Sequence, residues 1–380
     1  MSSLSFKSCP SLTLGVEMEL QILDARSLDL TDAASRIFRA LGGEQPRIKP
    51  EIFRSMLEIN TPVCETVRQV REELRSAIDE VRAAAPPSLR FAGAGSHPFA
   101  RYSQRTLSPS RRYRMLVERN QWVARRIMIF GLHIHAGMRD GEHAIAMING
   151  LLPYLPYFLA LSASSPFWQA QDTGLASSRI TVFEALPTMG HAPTFRSWNE
   201  FRLLYDGLVA ARSIASIKDL WWDIRPHPEY GTVELRICDG LPTLSEAVAV
   251  VALFQALVHR LDAEIKGGRI PEPPPDWLIR ENKWRASRHG LDAEIIVDGE
   301  GRTVRLRREM KALLESLRES AAALGSEACF EVLARMMKTG CSYERQRRVD
   351  LKNRSARAVA EALAEEFRTD LPFFAGRPGR

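Results

Sequence analysis

Residues Leu12 to Gln21, LTLGVEMELQ, alternate in character, with Leu12, Leu14, Val16, Met18 and Leu20 on one parity and Glu17 and Glu19 on the other. A period of two is that of a β-strand, so the apolar set faces a core while the two carboxylates project together from the opposite face. Adjacent carboxylates repel and raise one another's pKa unless a cation neutralises them. For this segment alone the simpler reading is a half-exposed strand with two solvated glutamates, because antiparallel sheets commonly face water on one side.

The pattern recurs, and its chemistry is selective. In Gly131 to Gly137, His133 and His135 oppose Leu132, Ile134 and Ala136. In Val233 to Ile237, Glu234 and Arg236 oppose Val233, Leu235 and Ile237. In Arg54 to Asn60, Arg54, Met56, Glu58 and Asn60 oppose Ser55, Leu57 and Ile59. A solvated sheet face carries a mixture of Thr, Ser, Lys and Gln; these faces carry carboxylates, imidazoles and a guanidinium. Oxygen and imidazole donors suit Mg²⁺ or Mn²⁺, and an arginine suits a transferring phosphoryl group. A lone strand histidine is usually structural, but four such faces together point to a metal-phosphate site.

Between and after these strands the periodicity turns helical. Asp32 to Leu41, Val67 to Ala85, Arg111 to Phe130, Gly141 to Ser165 and Thr194 to Ile214 read as helices, with Leu89 to His97 and Ile180 to Ala185 as further strands. Trp221 to Pro228 and Thr232 to Asp239 flank Gly231 as a β-hairpin. From about residue 246 the chain is mainly helical, broken by the stiff Pro271 to Pro275 connector. The expected class is α+β: an antiparallel sheet flanked by helices, read as a single catalytic domain over 1–380 with a sheet-containing core at about 10–245 and a helical C-terminal part at about 246–380.

Composition narrows the function classes. A chain of 380 residues, 45% hydrophobic, can bury a large core. The net charge of +6 allows anionic ligands, but only eight of 52 basic residues are lysines and no basic block or recognition motif accompanies them, so nucleic acid is not expected as a partner. Cys9, Cys64, Cys238, Cys329 and Cys341 are too dispersed for a disulfide framework or a thiolate zinc site. The apolar tract Ala144 to Phe167 is interrupted by Asn149, Gly150, Pro153 and Pro156 and reads as a buried helix rather than a membrane span. With no secretory signal apparent, a cytoplasmic location is expected, small molecules are the expected partners, and a homo-oligomer is left open. Neither a Walker A loop nor a GxSxG elbow is present.

The strings GVEMELQIL, KPEIFRSMLEINTPVCETV, FGLHIHAGM, LSASSPFW, WWDIRPHPEYGTVELRICDGLPT and RENKWRASRHGLDAEI, in order from about residue 12 to about residue 300, resemble the carboxylate–amine ligase family, also called glutamate–cysteine ligase type 2. The resemblance implies a fold akin to glutamine synthetase and glutamate–cysteine ligases, with a concave sheet face that binds ATP and Mg²⁺ (or Mn²⁺). It implies an ATP-dependent joining of a carboxylate to an amine through an acyl phosphate, nominally glutamate and cysteine giving γ-glutamylcysteine. The family's ExE, HxH and ExR strands fall on Glu17 and Glu19, on His133 and His135, and on Glu234 and Arg236. The metal set expected from residues and resemblance together is Glu17, Glu19, Glu58, His133 and Glu234. Arg236, Glu58 and Arg179 are expected at the reacting groups, the last as a clamp for a substrate carboxylate, while His135, Asn282, Trp284 and Arg285 are expected at the nucleotide. Ser178 stands where the family commonly has Tyr, which bears on the substrate pocket. A ligase using another amine, and a nucleotide- and metal-binding protein with little turnover, are the alternatives.

Overall fold

A computed structural model of the protein describes residues 4–373; residues 1–3 and 374–380, which the single-domain reading included, lie outside the described part. Its centre is a seven-stranded antiparallel sheet in the spatial order Ile224–His227, Thr232–Asp239, Gly131–Gly137, Leu14–Asp24, Met56–Asn60 and Ile48–Pro50, with Leu89–Ala92 pairing the far end of Leu14–Asp24. We call Leu14–Asp24, Gly131–Gly137 and Thr232–Asp239 the ExE, HxH and ExR strands. The register sets the polar residues side by side: Glu17 is opposite both His133 and Asn60, Glu19 opposite Glu58, and Glu234 opposite both His135 and Arg225.

One face of the sheet is the core. Leu14, Val16, Met18 and Leu20, Leu132 and Ile134, and Val233 and Leu235 are each at most 2% exposed and pack in one cluster with helices Val67–Ala84 and Leu244–Lys266. Each such side chain contributes roughly 1.5–3 kcal/mol on burial, so a one-residue slip that exchanged the two faces is strongly disfavoured. The first helix is fixed at its start by a capping box of Thr66 and Gln69 and stops ahead of Pro86. Helix Leu244–Lys266 carries helix Glu327–Thr339 on its other side, so the C-terminal helices share the sheet's core. Gly141–Ser162 and Leu244–Lys266 are long and apolar enough to span a membrane, but 89% and 83% of their most apolar windows are buried in the fold.

Three local expectations fail. Ile180 to Ala185, read as a strand, instead forms most of helix Arg179–Phe183 and the turn that follows it. There Ile180, Val182 and Phe183 are all buried and Ser165 Oγ accepts the Arg179 N–H, so tertiary packing overrides propensity. The strand Leu89–Ala92 ends before Gly93, where an added Cβ would meet the Leu241 carbonyl oxygen at 2.1 Å, so the chain leaves the sheet to pass that backbone. The basic helix ends at Arg125 rather than Phe130 and is interrupted at Gln121, which has φ of 49°. A short hairpin, Glu294–Ile296 with Thr303–Arg305, was not anticipated within the helical part.

Candidate active site

The polar face of the sheet lines a hollow of about 270 Å³, and Glu17, Glu19, Glu58, His133 and Arg236 all reach it. Period-two alternation puts them there, and the register brings them together from four strands. His133 Nδ1 donates to Glu17 Oε2 at 3.0 Å, and the Gly131 N–H donates to Glu19 Oε2 at 2.5 Å. Glu234 is 1% exposed, takes Arg225 Nε at 2.7 Å on one oxygen, and is paired with Arg236 through the other. Glu58 accepts from Asn60 Nδ2 at 2.8 Å.

These ligands fall into two groups. Glu17, His133 and Glu234 can each turn a donor atom to a common point, all within 4.8 Å of one another, and so can Glu19, Glu51 and Glu58. The ExE strand therefore supplies one carboxylate to each. Electrostatics differ between the two. Burial alone would raise the Glu17 carboxyl, but the His133 and His135 imidazoles outweigh it and hold Glu17 well below the usual range. Glu234 is likewise held low because Arg225 and Arg236 outweigh its burial. In the second group no such balance exists. Burial, then the charges of Glu17 and Glu51, push Glu58 well above the usual carboxylate range, and burial together with Glu19 pushes Glu51 up to about 7. Lys49, 3.9 Å from Glu58, and Arg112 near Glu51 do not offset this crowding, and three close carboxylates are what a divalent cation would satisfy. A second feature suited to an anionic ligand is His135 Nε2, which is buried without a hydrogen-bond partner, 3.6 Å from Glu17 and 3.9 Å from Glu234. The donor set thus fits hard divalent cations with an anionic ligand across them.

Arg236 projects into the hollow at the point where the ExR strand bulges, between Leu235 and Cys238. Arg179 sits behind that bulge, 2% exposed, donating to the carbonyls of Ile237 at 3.3 Å and Arg236 at 3.2 Å. It lines the hollow, but these bonds make it a brace for Arg236 more than an open clamp for a substrate carboxylate. The three residues expected from helix Asp276–His289 are not brought to the sheet face. Asn282 is 4% exposed and pairs through its amide with both backbone groups of Ile296, Trp284 is half exposed, and Arg285 binds Glu281 and the Glu294 carbonyl. Their helix instead turns Lys283 into the interior, bonded to Asp223 at 2.5 Å and to Glu184.

Several lining residues lay outside the sequence reading. Glu51 sits in a loop with no periodicity to mark it, and Arg225 was visible only as part of a hairpin. His227 and Tyr230 stack with ring centroids 4.1 Å apart beside His135, at the open edge of the hollow. Lys49, Arg112 and Lys218 add positive charge to its rim.

A sequence model described as glutamate-cysteine ligase family 2 matches residues 13–366, well past the residue at which the sequence resemblance fades. The chain is 46% identical over 360 residues to a Bdellovibrio bacteriovorus protein named "Putative glutamate--cysteine ligase 2", an alignment covering 94% of this chain and 95% of that one. A Thermobifida fusca protein of the same name is 43% identical over 385 aligned residues, covering 100% and 96%. Among solved structures, the glutamate–cysteine ligase of Francisella tularensis in complex with AMP superposes with a TM-score of 0.71 at 12% identity, covering 96% of this chain and 90% of that one. The bifunctional glutathione synthetase of Pasteurella multocida gives 0.68 at 15% identity, covering 94% of this chain and 52% of that one. At such identities the two structures establish the shared fold.

Proposed function

Since this chain belongs to glutamate-cysteine ligase family 2, a family of ligases, we propose that it joins a carboxylate to an amine at the expense of ATP, nominally glutamate to cysteine, through an acyl phosphate. The observation that carries this reading is the pair of three-ligand groups that share the ExE strand, with Arg236 beside them. A free carboxylate does not accept an amine because oxide would have to leave. Transfer of the γ-phosphoryl group of ATP to a carboxylate oxygen converts that oxygen into part of a phosphate leaving group. The amine nitrogen then bonds to the acyl carbon as the carbon–oxygen bond to phosphate breaks, giving the amide, ADP and phosphate.

Glu17, His133 and Glu234 would hold one Mg²⁺ and Glu19, Glu51 and Glu58 a second. Bound there, such ions would supply positive charge to offset that of the phosphates. Arg236, held against Glu234, is set to stabilise the phosphoryl oxygens in flight. His135 offers Nε2, the buried atom without a partner, to a phosphate oxygen. Arg225, through its ion pair and its bond to the Ile217 carbonyl, keeps Glu234 anionic and aimed. The stacked His227 and Tyr230 at the open edge give a nucleobase an aromatic surface.

The test is ADP release by purified protein with ATP, Mg²⁺, glutamate and cysteine, with the amide identified by mass spectrometry. Glu17→Gln should abolish turnover, since it removes charge from the first ligand group and the acceptor for His133. Undiminished turnover in that variant would defeat the assignment.

A further inference from the structure

A larger groove adjoins the reaction hollow. It has a volume of about 840 Å³ and lies between helix Arg111–Arg125 and segment 186–221, and Arg112, Lys218 and Trp221 line both cavities. Leu116, Leu186, Met189 and Ile214 give the groove an apolar floor. Its rim carries Arg111, Arg112, Arg119 and Arg212, and among the described residues none of these four has a carboxylate within ion-pairing distance. Asp219, the acidic residue of the lining, has Oδ2 occupied by the N–H groups of Ala215 and Ser216, and Lys218 is paired with Glu229 at 3.4 Å. Arg112 is engaged by the Lys218 carbonyl at 3.2 Å and by Glu51 on the hollow side. The guanidinium groups of Arg111, Arg119 and Arg212, none in an ion pair among the described residues, around an apolar floor attract a ligand that is anionic at one end and apolar along its body.

On the ligase reading above, we propose that this groove seats the amine substrate, and that the amine is an amino acid or short peptide with a bulky apolar side chain. Its own carboxylate lies among the rim arginines, its side chain on the floor, and its amino group toward the hollow past Arg112 and Trp221. The electropositive rim suits the reaction as well. The attacking species is the neutral amine, and nearby positive charge disfavours the ammonium form. Cysteine is too small to cover the floor, so the groove selects for larger amines than the family's nominal one.

At about pH 6, where both keep an α-ammonium group, phenylalanine and phenylalaninamide differ only in the carboxylate. Titration calorimetry of both into the wild-type protein should show phenylalanine binding at least about tenfold more tightly, as expected for loss of a charge-assisted contact. The Arg119→Gln/Arg212→Gln variant changes only exposed side chains, which a thermal melt verifies, and it should erase most of that preference. Equal binding of the two ligands, a preference that survives in the variant, or no binding of phenylalanine at millimolar concentration would each overturn the proposal. Calorimetry needs no turnover, so the two readings fail separately. Carboxylate-selective binding without ADP release from any amine tried sinks the ligase reading and keeps the groove. Turnover of cysteine without that selectivity does the reverse.

Discussion

Lys283 holds its ammonium 2.5 Å from Oδ2 of Asp223 in the interior, and the backbone carbonyl of that same aspartate accepts the N–H groups of Arg236 at 2.7 Å and Ile237 at 3.1 Å. A helix far along the chain thereby anchors the bulge at which Arg236 projects into the hollow. Asp223 Oδ1 is buried without a partner, so its charge depends on this lysine. Lys283→Met should cost roughly 3–5 kcal/mol in urea unfolding, the usual penalty for stranding one member of a buried pair. Adding Asp223→Asn should recover much of that stability. Turnover should remain low in the double variant, because the bulge has lost its tie to helix Asp276–His289.

Glu51→Gln tests the ligand that sequence periodicity could not mark. It leaves Glu19 and Glu58 with one carboxylate fewer at the second ligand group. The dependence of ADP release on Mg²⁺ concentration should shift upward by at least about tenfold, the scale of losing one oxygen ligand or its support. An unchanged Mg²⁺ dependence would remove Glu51 from the site.

Gly131 has no room for a side chain. A Cβ there would lie 2.5 Å from Arg179 Nη2 and 2.9 Å from His133 Nε2, and the Gly131 N–H already holds Glu19. Gly131→Ala should therefore displace His133 and Arg179 together. We expect turnover to fall at least about tenfold with far-ultraviolet circular dichroism unchanged, since the core face of the strand is untouched.

His97 sets a pH limit on stability. It is fully buried, with Nε2 on the Leu28 carbonyl at 2.9 Å and Nδ1 accepting the Ala100 N–H at 2.9 Å, and burial brings its pKa down from the ordinary 6.5 to about 4. Of the nearest charges, Asp29 opposes that shift and Arg105 favours it. Because the folded pKa lies below the unfolded one, the unfolded chain takes up the proton first. The contribution of the neutral ring is fully present above about pH 6.5 and is lost as pH falls toward 4, about 3 kcal/mol in total. His97→Gln should flatten this part of a chemical-denaturation profile between pH 7 and 4, while lowering stability at pH 7 through its poorer hydrogen bonds.

Alternation alone identified the ExE, HxH and ExR strands and Glu58, because a half-buried strand writes its two faces directly into residue parity. It also gave the sheet's apolar side, while three- and four-residue spacing gave the helix Val67–Ala84 and the turn at Gly231 gave the hairpin. Parity carries no information about which strands are neighbours, so it could not divide the ligands into Glu17, His133 and Glu234 on one side and Glu19, Glu51 and Glu58 on the other. Loop residues have no period, which hid Glu51, and Asn282, Trp284 and Arg285 were expected from the family resemblance, which does not show which way their helix turns its side chains. The candidate donor set was thus legible locally, in short strings of carboxylate, imidazole and guanidinium side chains opposite apolar ones. Its geometry was decided only by strand register, by the bulge behind Arg236 and by the buried Lys283–Asp223 pair, since each of these is a contact between segments that the chain order keeps apart.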